Sequence, residues 1–315
     1  MARKLRIQFE GAIYHVINRG NYRRDLFEAP RTIQAFERCL FETAERFAWR
    51  LHAFAPMRNH FHLALETPRT NLPEGMHWLE TTFATRFNRF RREHGHLFQG
   101  RYKAILVEPG PSLCRVVNYI HLNPVIANII TAEELPGFRW TSVHHFMTQP
   151  RPPFLVCADW LRELEIKDNP QGWREYIEYL QRLAADKKEQ KRQKFHVMNC
   201  GWAIGTYSWR RALAKSYSHL ALAQIANAPE IIEFKKLQWS HALDSILNQA
   251  GKTRAESAQG RKGEKWKILA ADALRQTTTA TNTWIAHELH MGAPSSVRQY
   301  LSDLRRGILD RPVER

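Results

Sequence analysis

The chain has 315 residues, 43% of them hydrophobic, and sets 47 Lys and Arg against 31 Asp and Glu, a formal charge of +16 with a pI near 10.0. That length leaves room for at least two domains, and the hydrophobic fraction is that of an ordinary globular protein, which excludes a disordered or fibrous chain. The charge is spread over both halves (20 basic and 13 acidic residues in 1–150, 27 and 18 thereafter), which excludes a lone basic tail and makes nucleic acid the expected counter-charge.

Cys39, Cys114, Cys157 and Cys200 stand far apart with no CxxC pair, which suits a reducing compartment rather than a zinc knuckle or a disulfide-stapled domain. The N-terminal "MARKLRIQFEGAIYHV" lacks the apolar core of a signal peptide, and no apolar run is long enough to span a membrane. No membrane partner is expected, and the reading is cytoplasmic.

In chain order, "GAIYHVINRG" (11–20) alternates apolar residues and predicts a strand closed by Gly20. Residues 31–48 place Ile33, Phe36, Leu40, Phe41, Ala44 and Phe47 at helical spacing. "RLHAFAPM" (50–57) and "HFHLALE" (60–66) predict two strands around a turn at Arg58 and Asn59. A helix over roughly 74–94 buries Leu79, Phe83, Phe87 and Phe90, "YKAILVE" (102–108) predicts a strand, and 112–129 is helical through Pro124. The order is β-α-β-β-α-β plus one helix, an α+β, ferredoxin-like antiparallel sheet backed by two helices. Beyond 150 the pattern turns helical and polar. Residues 172–195 predict a helix fading into an exposed charged stretch, and 251–265 a linker. The expected domains are 1–150 for the α+β unit, 151–260 for a helical region without readable chemistry, and 261–315 for a helix-turn-helix DNA-binding region.

Within "MRNHFHLALE", His60 and His62 share one face of a strand while Phe61 turns to the other. Two adjacent imidazoles without an acidic neighbour form half of a metal site, although the same spacing occurs in half-exposed pairs on an open sheet. In "NYIHLNPV", Tyr119 and Asn123 fall on one helix face and His121 on another. If that face lies over His60 and His62, the set of two imidazoles, an amide oxygen and a phenol suits Mg²⁺ or Mn²⁺, with Tyr119 as a nucleophile toward phosphorus. The alternative is a tyrosine that only packs.

"GAIYHVINRGNYRRDLF", "PMRNHFHLALE", "LFQGRYKAILVE" and "VVNYIHLNPV" resemble, in order and spacing, the four blocks of single-tyrosine HUH transposases, above all the REP-associated tyrosine transposases. The resemblance covers residues 10–130. It implies that His60 and His62 are the metal-binding histidines, Phe61 the hydrophobic residue between them, and Tyr119 the nucleophile. It also implies a third polar ligand one turn after the tyrosine, often glutamine in relatives, which here is Asn123. The implied activity is metal-dependent cleavage and rejoining of single-stranded DNA through a 5′-phosphotyrosine, on repetitive palindromes that fold as hairpins. A bacterial, nucleoid-associated protein acting as monomer or homodimer is implied as well.

For the DNA path, Arg19, Arg23, Arg24, Arg101 and Lys103 flank the first and fourth strands, with Tyr22 and Tyr102 among them for stacking on bases. A solvated basic rim explains the same residues. "RFNRFRR" (86–92) reads as an ordinary charged helix face. In 282–306, two helices around "HMGAP" fit a helix-turn-helix that offers Ser295, Ser296, Arg298 and Gln299 to a major groove of double-stranded DNA, with a plain helical bundle as the alternative. Two functions follow: a nicking and rejoining nuclease, or a domesticated DNA-binding protein without catalysis. An RNA-directed nuclease on the same scaffold is a weaker third.

Overall fold

The computed structural model describes residues 7–217 and 229–306, which divide into two compact units, one running to Thr206 and the other from Tyr207. The N-terminal unit is built on β1 (Ala12–Arg19), β2 (Arg50–Pro56), β3 (His60–Thr67), β4 (Lys103–Val107) and β5 (Ala203–Ile204), in the order β2-β3-β1-β4-β5. The four strands expected from sequence pair antiparallel, as the ferredoxin-like reading requires. Its antiparallel character ends there: β5 joins β4 in parallel, so the sheet is mixed. The fold is α+β and is followed by a helical C-terminal region.

Strand alternation decides what each face carries. Phe61 is fully buried and meets Phe36 of α1 (Pro30–Arg46) at 4.9 Å, and Phe36 in turn meets Phe83 of α2 (Leu72–Arg91) at 5.2 Å. Burying one such ring contributes about 1.5–3 kcal/mol, so Phe61 pins β3 with its odd-numbered neighbours toward α1 and α2. His60 and His62 must then face the other way, where α3 (Pro111–Ile126) packs across β2 and β3. At the α2 start, Trp49 lies so close that a Cβ on Gly75 would stand 2.1 Å from its ring, which leaves glycine as the residue that fits.

The chain from 142 to 192 forms α4 (Ser142–Met147), α5 (Ala158–Arg162), α6 (Pro170–Ala185) and α7 (Lys187–Arg192). These helices bring Phe146, Trp160, Trp173 and Tyr176 together against α3, with Phe146 and Trp173 stacked at 5.2 Å. The charged stretch expected to run exposed to residue 195 instead ends in a buried Phe195, because its ring has an aromatic partner on α3.

In the C-terminal unit, α8 (Tyr207–Ser216), α9 (Pro229–Gln249), α10 (Arg254–Gln259), α11 (Lys265–Thr277), α12 (Asn282–Glu288) and α13 (Pro294–Arg305) follow in order. Leu243, Ile268, Leu274, Ile285, Leu289, Met291 and Val297 form its core. The expected linker at 251–265 contains α10, because Thr253 and Glu256 close a reciprocal capping box that satisfies the first amides. Among the described residues no helix is long and apolar enough to cross a membrane.

Candidate active site

The structure brings Tyr119 to His62 and His15 on one face of the sheet, within a single chain. The ring of Tyr119 lies 5.7 Å from that of His62 and 5.9 Å from that of His15, and His60 lies 4.9 Å from His62. His121 points away as its helical position requires, into a buried network with Tyr176 (2.7 Å) and Ser142 (2.8 Å).

Hydrogen bonding sets which nitrogen of each imidazole carries the proton. His15 Nδ1 lies 3.0 Å from the Met198 carbonyl, which can only accept, so His15 is protonated at Nδ1 and bare at Nε2. That bare Nε2 lies 2.9 Å from His62 Nδ1, which therefore donates, and the lone pair of His62 sits on Nε2. His62 Nε2 is buried and has no partner. His60 follows the same logic: its Nδ1 lies 2.8 Å from Asn59 Oδ1, and Asn59 is turned that way by its own donation to the Arg23 carbonyl at 3.2 Å. Both histidines thus keep Nε2 as a lone pair, the state in which imidazole binds a cation.

Burial keeps these rings neutral. His15 is pushed down to about 4 chiefly by burial, against the opposing Met198 carbonyl. His60 is pushed down to about 4 by burial and then by Arg19, its partner across the strand pair. His62 falls well below the ordinary range through burial and the neighbouring His15, His60 and Arg19. Tyr119 is 7% exposed, and burial raises its phenol above the usual range. Two amides oppose that rise. Asn199 donates to the phenolic oxygen at 2.8 Å, and Asn123 acts in the same direction although its Nδ2, buried, makes no hydrogen bond.

Sequence reasoning missed the segment that completes this site. After α7 the chain crosses the face of α3: Phe195 packs on the Tyr119 ring at 5.5 Å, Met198 receives His15, and Asn199 holds the phenol. Lys103 Nζ donates to the Asn199 carbonyl at 3.0 Å, and β5 then anchors the strap beside β4. His15 was also missed, though its place in the alternation of "IYHVIN" puts it in phase with Ile17, the partner of His62.

The basic rim divides. Arg19 and Lys103 lie on the histidine face, Arg101 and Arg23 are exposed, and Tyr22 is 92% exposed with a left-handed backbone (φ 51°). Two expectations need correction. Tyr102 is 4% exposed, one residue out of phase with Lys103, and cannot offer its ring to a base. Arg24 is held by an ion pair with Glu93 and by the Phe87 ring at 5.3 Å, so its charge is already partnered. Arg86 likewise forks onto Glu42 at 3.0 and 2.8 Å, an ordinary charged face. In the C-terminal unit, Ser295, Arg298 and Gln299 are exposed and Ser296 half-buried on α13, which follows α12 after a turn with Gly292 at φ 86°. Gln299 is tied to Asp303 at 2.8 Å.

Among the described residues, no group of three or more His, Cys, Asp or Glu side chains is placed to hold a metal ion, so these side chains alone form no closed site. The donors that are present, two imidazole Nε2 atoms and an amide, would make an open one.

The family model described as "Transposase IS200 like" matches residues 8–123, a stretch that ends on Asn123 and includes His15, His60, His62 and Tyr119. No curated protein matches the chain. Among solved structures, a REP-associated tyrosine transposase bound to a REP hairpin is 15% identical, covering 51% of this chain and 93% of its own, with a TM-score of 0.40. A candidate transposase of Deinococcus radiodurans R1 is 22% identical over 34% of this chain and 86% of its own, with a TM-score of 0.28.

Proposed function

We propose that this protein, whose residues 8–123 match the IS200-like transposase family model, is a metal-dependent endonuclease and strand transferase that cuts single-stranded DNA through Tyr119. The observation that carries the proposal is the buried, unpartnered lone pair of His62 Nε2 beside the Tyr119 ring. A buried polar atom left unsatisfied costs about 1–3 kcal/mol, a cost that a bound cation removes.

His60, His62 and the amide oxygen of Asn123 would hold a divalent ion, Mg²⁺ or Mn²⁺. When bound, that ion supplies electrophilic activation of a phosphodiester oxygen. The protein's own groups do the rest. His15 and Asn59 fix the histidine tautomers. Arg19 and Lys103 line the same face as phosphate-binding cations, joined from the rim by Arg23 and Arg101, while exposed Tyr22 stacks on a base. Tyr119 Oη attacks phosphorus, the bond from tyrosine oxygen to phosphorus forms, and the bond from phosphorus to O3′ breaks. The products are a 5′-phosphotyrosine and a 3′-hydroxyl, the phenolic proton passing to solvent and the 3′-oxygen taking one up. Attack by a 3′-hydroxyl on the phosphotyrosine reverses the step, so strands rejoin without nucleotide hydrolysis. The motif resemblance points to palindromic repeats folded as hairpins, and the α12–α13 pair is proposed to engage double-stranded DNA with Ser295, Ser296, Arg298 and Gln299.

One observation favours a second reading, a DNA-binding protein without catalysis: Tyr119 is 7% exposed under the Phe195–Asn199 strap. Incubation of a 3′-labelled hairpin oligonucleotide with Mn²⁺, resolved on a denaturing gel, separates the two. The nuclease yields a covalent adduct that disappears in Tyr119→Phe and His60→Ala while both variants keep hairpin affinity. Adduct-free wild type with intact hairpin binding establishes the second reading instead.

A further inference from the structure

The C-terminal unit carries a concavity of about 390 Å³ between α11, α12 and α13 that the cleavage chemistry does not use. Its walls are arginine. Arg275 comes from the last turn of α11, Arg298 and Arg305 come from α13, and Arg306 follows directly at its C-terminal end. Positions 298, 302 and 305 are four and three residues apart, so the two arginines and Ser302 form one face of the helix. Leu301 gives the concavity an apolar floor, and the buried Oδ1 of Asn282 at its edge has no hydrogen-bond partner.

Guanidinium groups stay charged at any physiological pH, so gathering four around one hollow costs repulsion unless an anion occupies it. The local acids do not supply it. Asp272 reaches Arg305 only at 4.0 Å and spends its other oxygen on Gln276 at 2.6 Å. Arg275 is held in place by donating to the Ala280 carbonyl at 2.9 Å, which orients the fork without neutralising it. The helix dipole favours arginine at the ends of α11 and α13, but it does not explain Arg298 in mid-helix or the convergence on one hollow.

We infer that this arginine-walled concavity seats a backbone phosphate of duplex DNA, and that Arg298 contacts that phosphate rather than a base edge. At about 390 Å³ the concavity has room for a stretch of strand as well as for a lone anion. Duplex DNA is favoured over duplex RNA because a helix such as α13 enters the B-form major groove, and the A-form major groove excludes it. Guanidinium forks match phosphate oxygens in pairs, and Ser302 adds a hydroxyl donor. The inference rests on reading α12–α13 as a duplex-binding module.

The test uses the full chain and a labelled non-palindromic duplex, with binding followed by fluorescence anisotropy between 50 and 200 mM NaCl. Arg298→Gln and the pair Arg275→Gln with Arg305→Gln are compared with Lys236→Gln, an exposed α9 residue outside the concavity. Arg298→Gln is expected to lower the salt slope by about one and the double variant by up to about two, each weakening duplex binding several-fold at all sequences. Binding by Lys236→Gln stays unchanged. Wild type that binds duplex while the arginine variants match it within twofold overturns the phosphate seat but leaves the module reading standing. Wild type with no duplex affinity overturns both. A parallel thermal-shift titration with inorganic phosphate covers the remaining source: stabilisation lost in the arginine variants with duplex binding intact marks a free-anion site and refutes the inference.

Discussion

Replacing His15 by phenylalanine probes the least visible part of the proposed centre. His15 makes both of its hydrogen bonds inside the protein, at 3.0 Å to the Met198 carbonyl and 2.9 Å to His62 Nδ1. Phenylalanine keeps the ring volume but leaves the Nδ1–H of His62 buried without an acceptor, at a cost of about 1–3 kcal/mol. His62 can then move its proton to Nε2, where it blocks the lone pair offered to the cation. Removing such an outer partner of a metal-binding histidine lowers affinity about 10- to 100-fold, which is about 1.4–2.8 kcal/mol, so the two routes agree in size. Mn²⁺ titration followed by electron paramagnetic resonance reads this directly, without catalysis. His15→Gln should recover much of the loss, since one amide carries the same donor and acceptor. A His15→Phe protein that is folded by circular dichroism yet binds Mn²⁺ within twofold of wild type refutes the tautomer relay.

Three further expectations follow from the same groups. The metal-free protein should lose stability as pH falls from about 6.5 toward 4, because unfolded histidines take up protons there and the buried ones do not. His15, near 4, and His121, near 3, each contribute on the order of 2 kcal/mol of this loss at pH 5, and urea midpoints at pH 7 and 5 should shift accordingly. Adduct formation should rise with pH through the neutral range, because burial raises the Tyr119 phenol above its ordinary value and phenolate is the attacking form; a rate independent of pH from 6 to 9 contradicts this step. Asn199→Ala removes the 2.8 Å donor that favours phenolate, so adduct formation should slow several-fold at fixed pH while Mn²⁺ affinity holds, a split that equal losses in both would deny.

Much of this site was legible because strand and helix periodicities are strict. Phe61 alternates with His60 and His62, so once Phe61 enters the core under α1 and α2 the histidines have one remaining face. Tyr119 and Asn123 are one helical turn apart, and α3 lies over that face. What was not legible depends on register or on long loops. The bond from His15 to His62 requires knowing that Ile17 opposes His62. Nothing local marks Phe195, Met198 and Asn199 as returning to α3, and β5 spans only Ala203–Ile204, too short to show alternation. The helix at Arg254–Gln259 was different: Thr253 and Glu256 spell a capping box, but the surrounding glycines and lysines suggested a linker.

The most direct test of the central claim is peptide mapping of the trapped complex. Wild-type protein incubated with hairpin DNA and Mn²⁺, then digested with nuclease and protease, should yield one phosphonucleotide-bearing peptide, with the mass on Tyr119 and none formed in EDTA. Modification of another residue, or a clean Tyr119 peptide from protein that has cut its DNA, contradicts the account.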